Sequence, residues 1–454
     1  TDKVTIMTAK IEELTQTIKE LEEKLNKNSK NSSKPPSSDG LKKQNRNTSL
    51  REKSNKKKGA QPGHDGTRMI ITGEPDHVTD LIPAPCQKCP QWQKCKGTAC
   101  NVERRYQVDI EIRQTLEAYD CYKVVCPKTN ETLKGIFPDD IKGEIQYGTN
   151  IASFIVSLNT VGAVSAKRVQ EIAGSLFDLP ISTGTVCKMV ARCAEKASYA
   201  VSLIKEKVMQ LEAAHFDETG TRVDGKTGWV HVASNHELTY LFFGKRGQNG
   251  MTEMGILPHF SGVAIHDCWA SYWKFSVTHA ICCAHLLREL NGVMENHSQQ
   301  TWAKSFRDLL LKMKKLKEKA IARDKSELSY YHLHNIEMQY DEIIQTALEE
   351  NPLPEKKPGQ KGRPKKGKVR ALIERLQKYK GEVCLFVKDF NIDFDNNQAE
   401  RDLRMIKTKT KVSGCFRTED GIQNYLTVMS YVGTAKKHGK NAYEAIQGSI
   451  PKFV

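Results

Sequence analysis

The sequence predicts a multidomain α+β protein, and three observations carry that prediction. A strict heptad seam opens the chain, six cysteines crowd residues 86–126, and alternating strands near residue 210 give way to charged helices. With 454 residues, the chain has room for about three domains.

The seam comes first. Val4, Met7, Ile11, Leu14, Ile18, Leu21 and Leu25 recur at alternating spacings of 3 and 4, with β-branched residues at most a positions and leucine at most d positions. That choice favours a parallel two-stranded coiled coil over residues 1–27, with a lone amphipathic helix as the alternative. Residues 28–66 then collapse to Asn, Ser, Lys and Pro. Eight basic residues lie between Lys42 and Lys58 against the single acid Glu52. Such a segment cannot bury a core and reads as a basic tether or a solvated linker.

A β-rich module is expected over 67–135, with strand-like alternation at 106–112. Cys86-x2-Cys89 has the knuckle spacing that lets two thiolates face one tetrahedral ion, and Cys121-x4-Cys126 can supply the other two ligands. Cys95-x4-Cys100 is a rival pair, and a set of free small hydrophobes is the plain alternative. Four thiolates leave no open position, so the expected role is a structural Zn²⁺. The uneven cysteine placement argues against a disulfide scaffold.

Residues 136–200 read as a helical DNA-binding domain. Helices at 165–176 and 183–197, the second capped by Ser182, resemble a helix-turn-helix, although a plain hairpin fits equally. Lys188, Arg192 and Lys196 share a face of the second helix. Strands follow at 208–217, 229–235 and 239–243, then an apolar strand at 262–267 that ends in a carboxylate. Residues 285–350 are helical, 356–370 form a Pro/Gly-broken tract with eight basic residues and no acid, and helix and strand signals resume at 371–390.

Seventy Lys and Arg against 54 Asp and Glu give a net charge of +16, which favours a polyanionic partner, nucleic acid foremost. A basic soluble enzyme is the alternative. No run approaches the roughly 18 apolar residues of a membrane span, and no apolar signal region opens the chain. The expectation is a cytoplasmic protein.

Three carboxylates carry candidate chemistry: Asp217 and Asp267 at strand ends, and Glu400 at the start of a helix near Asn397. Carboxylates from separated segments that converge at one sheet edge can hold two Mg²⁺ (or Mn²⁺) ions, and paired ions serve phosphoryl transfer. Plain readings compete. Asn397-x-x-Glu400 fits a capping box, the two aspartates fit turns, and Glu218, Asp393 and Asp395 are rival acids. Around Glu400 the helix is cationic: Arg401, Arg404, Lys407, Lys409 and Lys411 suit a phosphodiester backbone held against metals. Cys282-x2-His285 fits half a zinc site or a packing device, and Arg363 in Lys361-Gly-Arg-Pro-Lys365 fits a minor-groove arm.

These blocks resemble the DDE transposases of the insertion sequence 66 family. The resemblance runs through Asn-Ser-Ser-Lys-Pro-Pro-Ser-Ser-Asp39, the cysteine module, His-Phe-Asp217-Glu-Thr and His266-Asp-Cys-Trp. It continues in Cys-Ala-His285-Leu-Leu-Arg-Glu-Leu, Asn-Asn-Gln-Ala-Glu400-Arg-Asp-Leu-Arg and Lys411-Val-Ser-Gly-Cys-Phe-Arg417. A closing Ser-Tyr-Val-Gly-Thr-Ala-Lys-Lys segment completes it. It implies a catalytic triad of Asp217, Asp267 and Glu400 on a ribonuclease-H-like α/β core (201–290 and 379–454) with a helical insertion at 291–378. It also implies metal-dependent cleavage at element ends, then attack of the freed 3′-hydroxyl on target DNA. The implied partners are double-stranded DNA, further copies of the chain on that DNA, and accessory proteins of the element. The x4 spacing of Cys121 and Cys126 departs from the family's two x2-spaced pairs. Two other classes fit the sequence: a DNA-binding protein without catalysis, and a nuclease that cuts without joining.

Overall fold

The computed structural model describes residues 2–27, 31, 71, 73–79, 81–97, 103–110, 113–353 and 366–448. The tether at 42–58, Cys100, Arg363 and most of the 356–370 tract lie outside the described residues. The chain divides into two compact units, residues 41–113 and the remainder.

In the smaller unit, a 3₁₀ turn at Ala84–Cys86 precedes helix α2 (Trp92–Gly97), helix α1 belonging to the larger unit. The alternation at 106–112 does not make a strand where it is described. Residues 103–110 have no ladder partner, and Val108 and Ile110 lie exposed. Alternation needs a neighbouring strand to bury its apolar face, and none pairs with it among the described residues.

The larger unit begins with α1 (Asp2–Leu25). Met7, Ile11, Leu14, Ile18, Leu21 and Leu25 are all exposed, so the seam stands open on the single chain. A small hairpin, β1 (Lys123–Val125) with antiparallel β2 (Thr132–Lys134), precedes three helices. These are α3 (Thr149–Asn159), α4 (Ala166–Phe177) and α5 (Thr183–Met209). The Ser165 and Ser182 hydroxyls cap α4 and α5 by accepting from Arg168 N and Thr185 N. Helix α5 runs twelve residues past the expected 183–197, through the start of the strand expected at 208–217. Ala197, Ala200, Val201, Ile204 and Val208 keep a 3–4 spacing and bury one stripe, which is the helical period.

The central sheet follows: β3 (Ala213–Val223), β4 (Lys226–Ser234), β5 (Thr239–Gly244), then, after helix α6 (Gln248–Met254), β6 (Val263–His266) and β7 (Thr278–Ile281). Its order is β5-β4-β3-β6-β7, with the first three strands an antiparallel meander and β6 and β7 joining parallel. Asp224 and Gly225, both at positive φ, close the β3–β4 hairpin. Asp217 therefore lies mid-strand, not at a strand end. Edge strand β5 is covered by α13 (Glu419–Lys437), whose Ser430 and Thr434 hydroxyls accept from Leu241 N and Thr239 N.

Among the described residues five helices separate β7 from the third carboxylate. After α7 (Cys283–Asn296) come α8 (Trp302–Ile321), α9 (Tyr330–Glu350), α10 (Gly367–Lys378) and α11 (Lys380–Lys388). Trp302, Phe306, Leu310, Met313, Tyr340 and Ile373 form their fully buried centre, continuous with Ile265 and Ile281 of the sheet. The strand signal at 371–390 is not met; the segment is helical through Lys388 apart from a turn at Tyr379. Helix α12 (Asn397–Ser413) then lies on β3 and β4 through Ala399, Leu403 and Ile406, and α14 (Ala442–Gly448) closes the described chain. Among the described residues no helix is long and apolar enough to cross a membrane.

Candidate active site

The sheet register sets the first two carboxylates side by side. Ala213, Ala214 and His215 of β3 face Val263, Ala264 and Ile265 of parallel β6. Two residues further, the same register reaches Asp217 and Asp267. Parallel neighbours lie about 4.8 Å apart with side chains on a common face. That face is the one α12 covers. Odd-numbered residues of β3 point to it, as Thr221 shows by its 2.9 Å hydroxyl contact with Thr410.

Asp217 is half-buried, and its Oδ1 accepts from Glu218 N at 2.8 Å. Burial first, then the charges of Asp267 and Glu400, push its carboxyl up to about 8, against a small opposing pull from Lys407. Asp267 accepts from Trp269 N at 3.0 Å. Glu400 is held by α7, with its Oε1 3.7 Å from His285 Nε2 and 3.5 Å from Arg288 Nη2. The capping-box reading fails. Asn396 is the N-cap, makes no side-chain cap bond, and leaves Glu400 on the fourth helical residue facing α7.

The rival acids are otherwise engaged. Glu218 points to the opposite face, where Gly247 N and Arg246 Nε each approach it at 3.4 Å. Asp395 accepts from Asn397 N, and Asp393 lies 2.9 Å from His215 Nε2. Among the described residues, one trio of possible metal ligands has its donor atoms within 4.8 Å of one another, and that trio is His215, His236 and Asp393. The three carboxylates share a neighbourhood and an electrostatic field without closing to that spacing.

His285 is a half-buried, neutral histidine. Burial, helped by Arg288, lowers its pKa to about 4, and its Nδ1 has no hydrogen-bond partner among the described residues. The Cys282 thiol accepts from Asn396 N at 3.1 Å and is pushed up to about 12 by burial. It joins the start of α7 to the loop before α12. Arg288 was missed in the sequence; its signal is its place one turn after His285.

Of the cations, Arg401, Arg404, Lys407 and Lys411 are exposed on α12, and Lys188 and Arg192 are exposed on α5. Lys409 is the exception. It is buried, with Nζ donating to Asn159 O and Val164 O at 2.8 Å each. It is a bolt to the α3–α4 connection, not a phosphate ligand.

In the smaller unit Cys89 N donates to Cys86 O at 3.1 Å, the tight turn that the x2 spacing implies. In the larger unit Cys126 N donates to Glu131 O beside the β1–β2 hairpin, and hydrogen bonding from Thr129 draws its thiol below the ordinary value. Cys121 Sγ lies 3.0 Å from Gly135 O.

Comparison with known proteins bears on the whole of this arrangement. Residues 2–69 match a family of unknown function (DUF6444), and no curated protein matches the chain. Residues 144–424, which hold the sheet, both aspartates, the helical insertion and α12, match the model of the Transposase IS66 family, and the chain belongs to that family.

Proposed function

We propose that this transposase cleaves DNA at the ends of its element and joins the freed ends to target DNA, with Asp217, Asp267 and Glu400 as the catalytic carboxylates. The single observation that carries the proposal is the β3–β6 register, which, continued two residues past His215 and Ile265, sets Asp217 beside Asp267; burial, Asp267 and Glu400 together raise the Asp217 carboxyl. A meander of three antiparallel strands continued by two parallel ones, with a third acid on a helix across the same face, supports a ribonuclease-H-like reading.

The donor set fits hard divalent cations. Three carboxylates share one face, and burial, with the charges of Asp267 and Glu400 added, holds a proton on Asp217 well above the usual carboxylate range. Asp217, Asp267 and Glu400 would hold two Mg²⁺ or Mn²⁺ ions. When bound, such ions supply Lewis acidity at the phosphorus and lower the pKa of an attacking hydroxyl. The chain's own residues do the rest. Arg288 restrains Glu400 by a charge contact, and neutral His285 backs it without adding charge. Arg404, Lys407 and Lys411 bind and orient the strand along α12, while Lys188 and Arg192 contact flanking duplex. Structural Zn²⁺ bound by cysteine thiolates, and pairing of two copies through the α1 seam, complete the proposal.

The test uses purified full-length protein, Mg²⁺ and duplexes carrying the element ends. Wild type should nick and join them. Asp217→Asn, Asp267→Asn and Glu400→Gln should each abolish both steps while retaining DNA binding. Full activity in Glu400→Gln would remove the third carboxylate from the proposal, and nicking without joined product would favour a simple nuclease.

A further inference from the structure

His215, His236 and Asp393 come from three separate segments: the start of β3, the β4–β5 turn, and the loop before α12. Asp393 Oδ2 lies 2.9 Å from His215 Nε2 and 3.0 Å from His236 Nε2. His215 is buried, and Asp393 and His236 open to solvent.

The proton count at His215 is constrained by its neighbour. Asn396 Nδ2 donates to Phe216 O at 2.7 Å, and a carbonyl can only accept, so the amide orientation is fixed. Asn396 Oδ1 therefore faces His215 Nδ1, 3.0 Å away, and Nδ1 must carry the proton. In a neutral imidazole that leaves Nε2 as a bare lone pair aimed at a carboxylate oxygen. Two acceptors at 2.9 Å repel unless a proton or a metal ion lies between them. A backed Nδ1–H with a free Nε2 is the arrangement of metal-binding histidines, whose other nitrogen is held by a neighbouring oxygen.

We propose that His215 Nε2, His236 Nε2 and Asp393 Oδ2 form a transition-metal site, with Zn²⁺ as the fitting ion, separate from the three-carboxylate centre. Two imidazoles and one carboxylate select Zn²⁺, Co²⁺ or Ni²⁺ over Mg²⁺. Tetrahedral zinc with bonds near 2.0–2.1 Å needs ligand atoms about 3.3 Å apart, so each histidine must part from Asp393 by only a few tenths of an ångström, and the three donor atoms already lie within 4.8 Å of one another. A fourth position faces a cleft of about 280 Å³ lined by Lys314, Lys317, Asp395 and Arg401 together with His236 and Asp393. Those cations suit water or an anionic oxygen as the fourth ligand. Bound metal would clamp β3 to the loop that leads into α12.

The experiment strips full-length protein with chelator and adds back Zn²⁺ or Co²⁺, without any catalytic assay. It compares wild type, His236→Ala, Asp393→Asn and the double variant Cys86→Ser/Cys89→Ser. Metal analysis should find one equivalent fewer in His236→Ala and in Asp393→Asn than in wild type. Co²⁺ should give d–d bands that the cysteine variant keeps and His236→Ala loses. Zn²⁺ should raise the melting temperature of wild type more than that of His236→Ala. His236 lies 68% exposed in a turn, so its variant should fold, and its melt in chelator checks this. Equal metal content and equal Co²⁺ spectra in wild type and His236→Ala would overturn the site and leave an imidazolium–carboxylate pair only.

Discussion

Glu400 and Arg288 meet across two helices, Oε1 to Nη2 at 3.5 Å, with His285 Nε2 3.7 Å from the same oxygen. The third carboxylate is thus held from α7, the helix that follows the last strand of the sheet. Removing the guanidinium frees Glu400 without touching the two aspartates. Arg288→Gln should lower strand cleavage about 10-fold or more. The pair is partly exposed, so its loss should cost less than about 1 kcal/mol of stability. End-DNA cleavage assays and thermal melts on the same sample separate the two effects.

Asp217 gives a pH prediction whose sign is fixed. Its carboxyl titrates near 8 in the folded, cation-free protein, well above the unfolded value of 3.8. The folded state then holds more protons between those values, so stability falls as pH rises from about 4 to about 8. The loss attributable to this group is on the order of several kcal/mol across that interval. Melts in chelator should drop between pH 6 and pH 8 for wild type, and Asp217→Asn should flatten that drop. Millimolar Mg²⁺ should flatten it as well.

Gly262 guards the entry to β6. A Cβ there would lie 2.2 Å from Leu211 O and 2.6 Å from Glu212 O, both backbone atoms that cannot swing aside. The Val263 N to Glu212 O bond of 2.8 Å ties the same spot to the residue before β3. Gly262→Ala should cost about 3 kcal/mol and shift Asp267 relative to Asp217. Denaturant unfolding reads the first effect and cleavage rate the second.

Lys409→Met tests the buried cation of α12. The substitution strands two carbonyls, Asn159 O and Val164 O, at a cost of about 2–4 kcal/mol. DNA affinity per folded molecule should be unchanged. By contrast, Arg404→Ala, Lys407→Ala and Lys411→Ala should leave stability intact. Each should reduce the slope of log affinity against log salt by about 1.

The contrast between those lysines shows where sequence reasoning succeeds and where it stops. Spacing along α12 identified a cationic face, because Arg404, Lys407 and Lys411 recur at helical intervals with Glu400. It could not identify Lys409 as buried, since that depends on where the α3–α4 connection lies. Asp267 was legible as a strand-terminal acid. Asp217 was misjudged as one because the Asp224–Gly225 turn that extends its strand was overlooked. The role of His215 was not legible at all, because its partners lie in a turn and a loop that only the folded sheet brings together.

The bond from His215 to Asn396 spans 181 residues of sequence. Contacts of such separation slow folding because a long loop must close first, and this one waits until Asn396 has been made. On the ribosome, β3 and β6 emerge and pair while the helical insertion and α12 are still unsynthesised. A nascent or truncated chain that ends within the insertion therefore carries two of the three carboxylates and no cationic helix beside them. On the proposed function such a fragment lacks the third carboxylate and the strand-binding face, so cleavage would wait for a chain that is nearly complete.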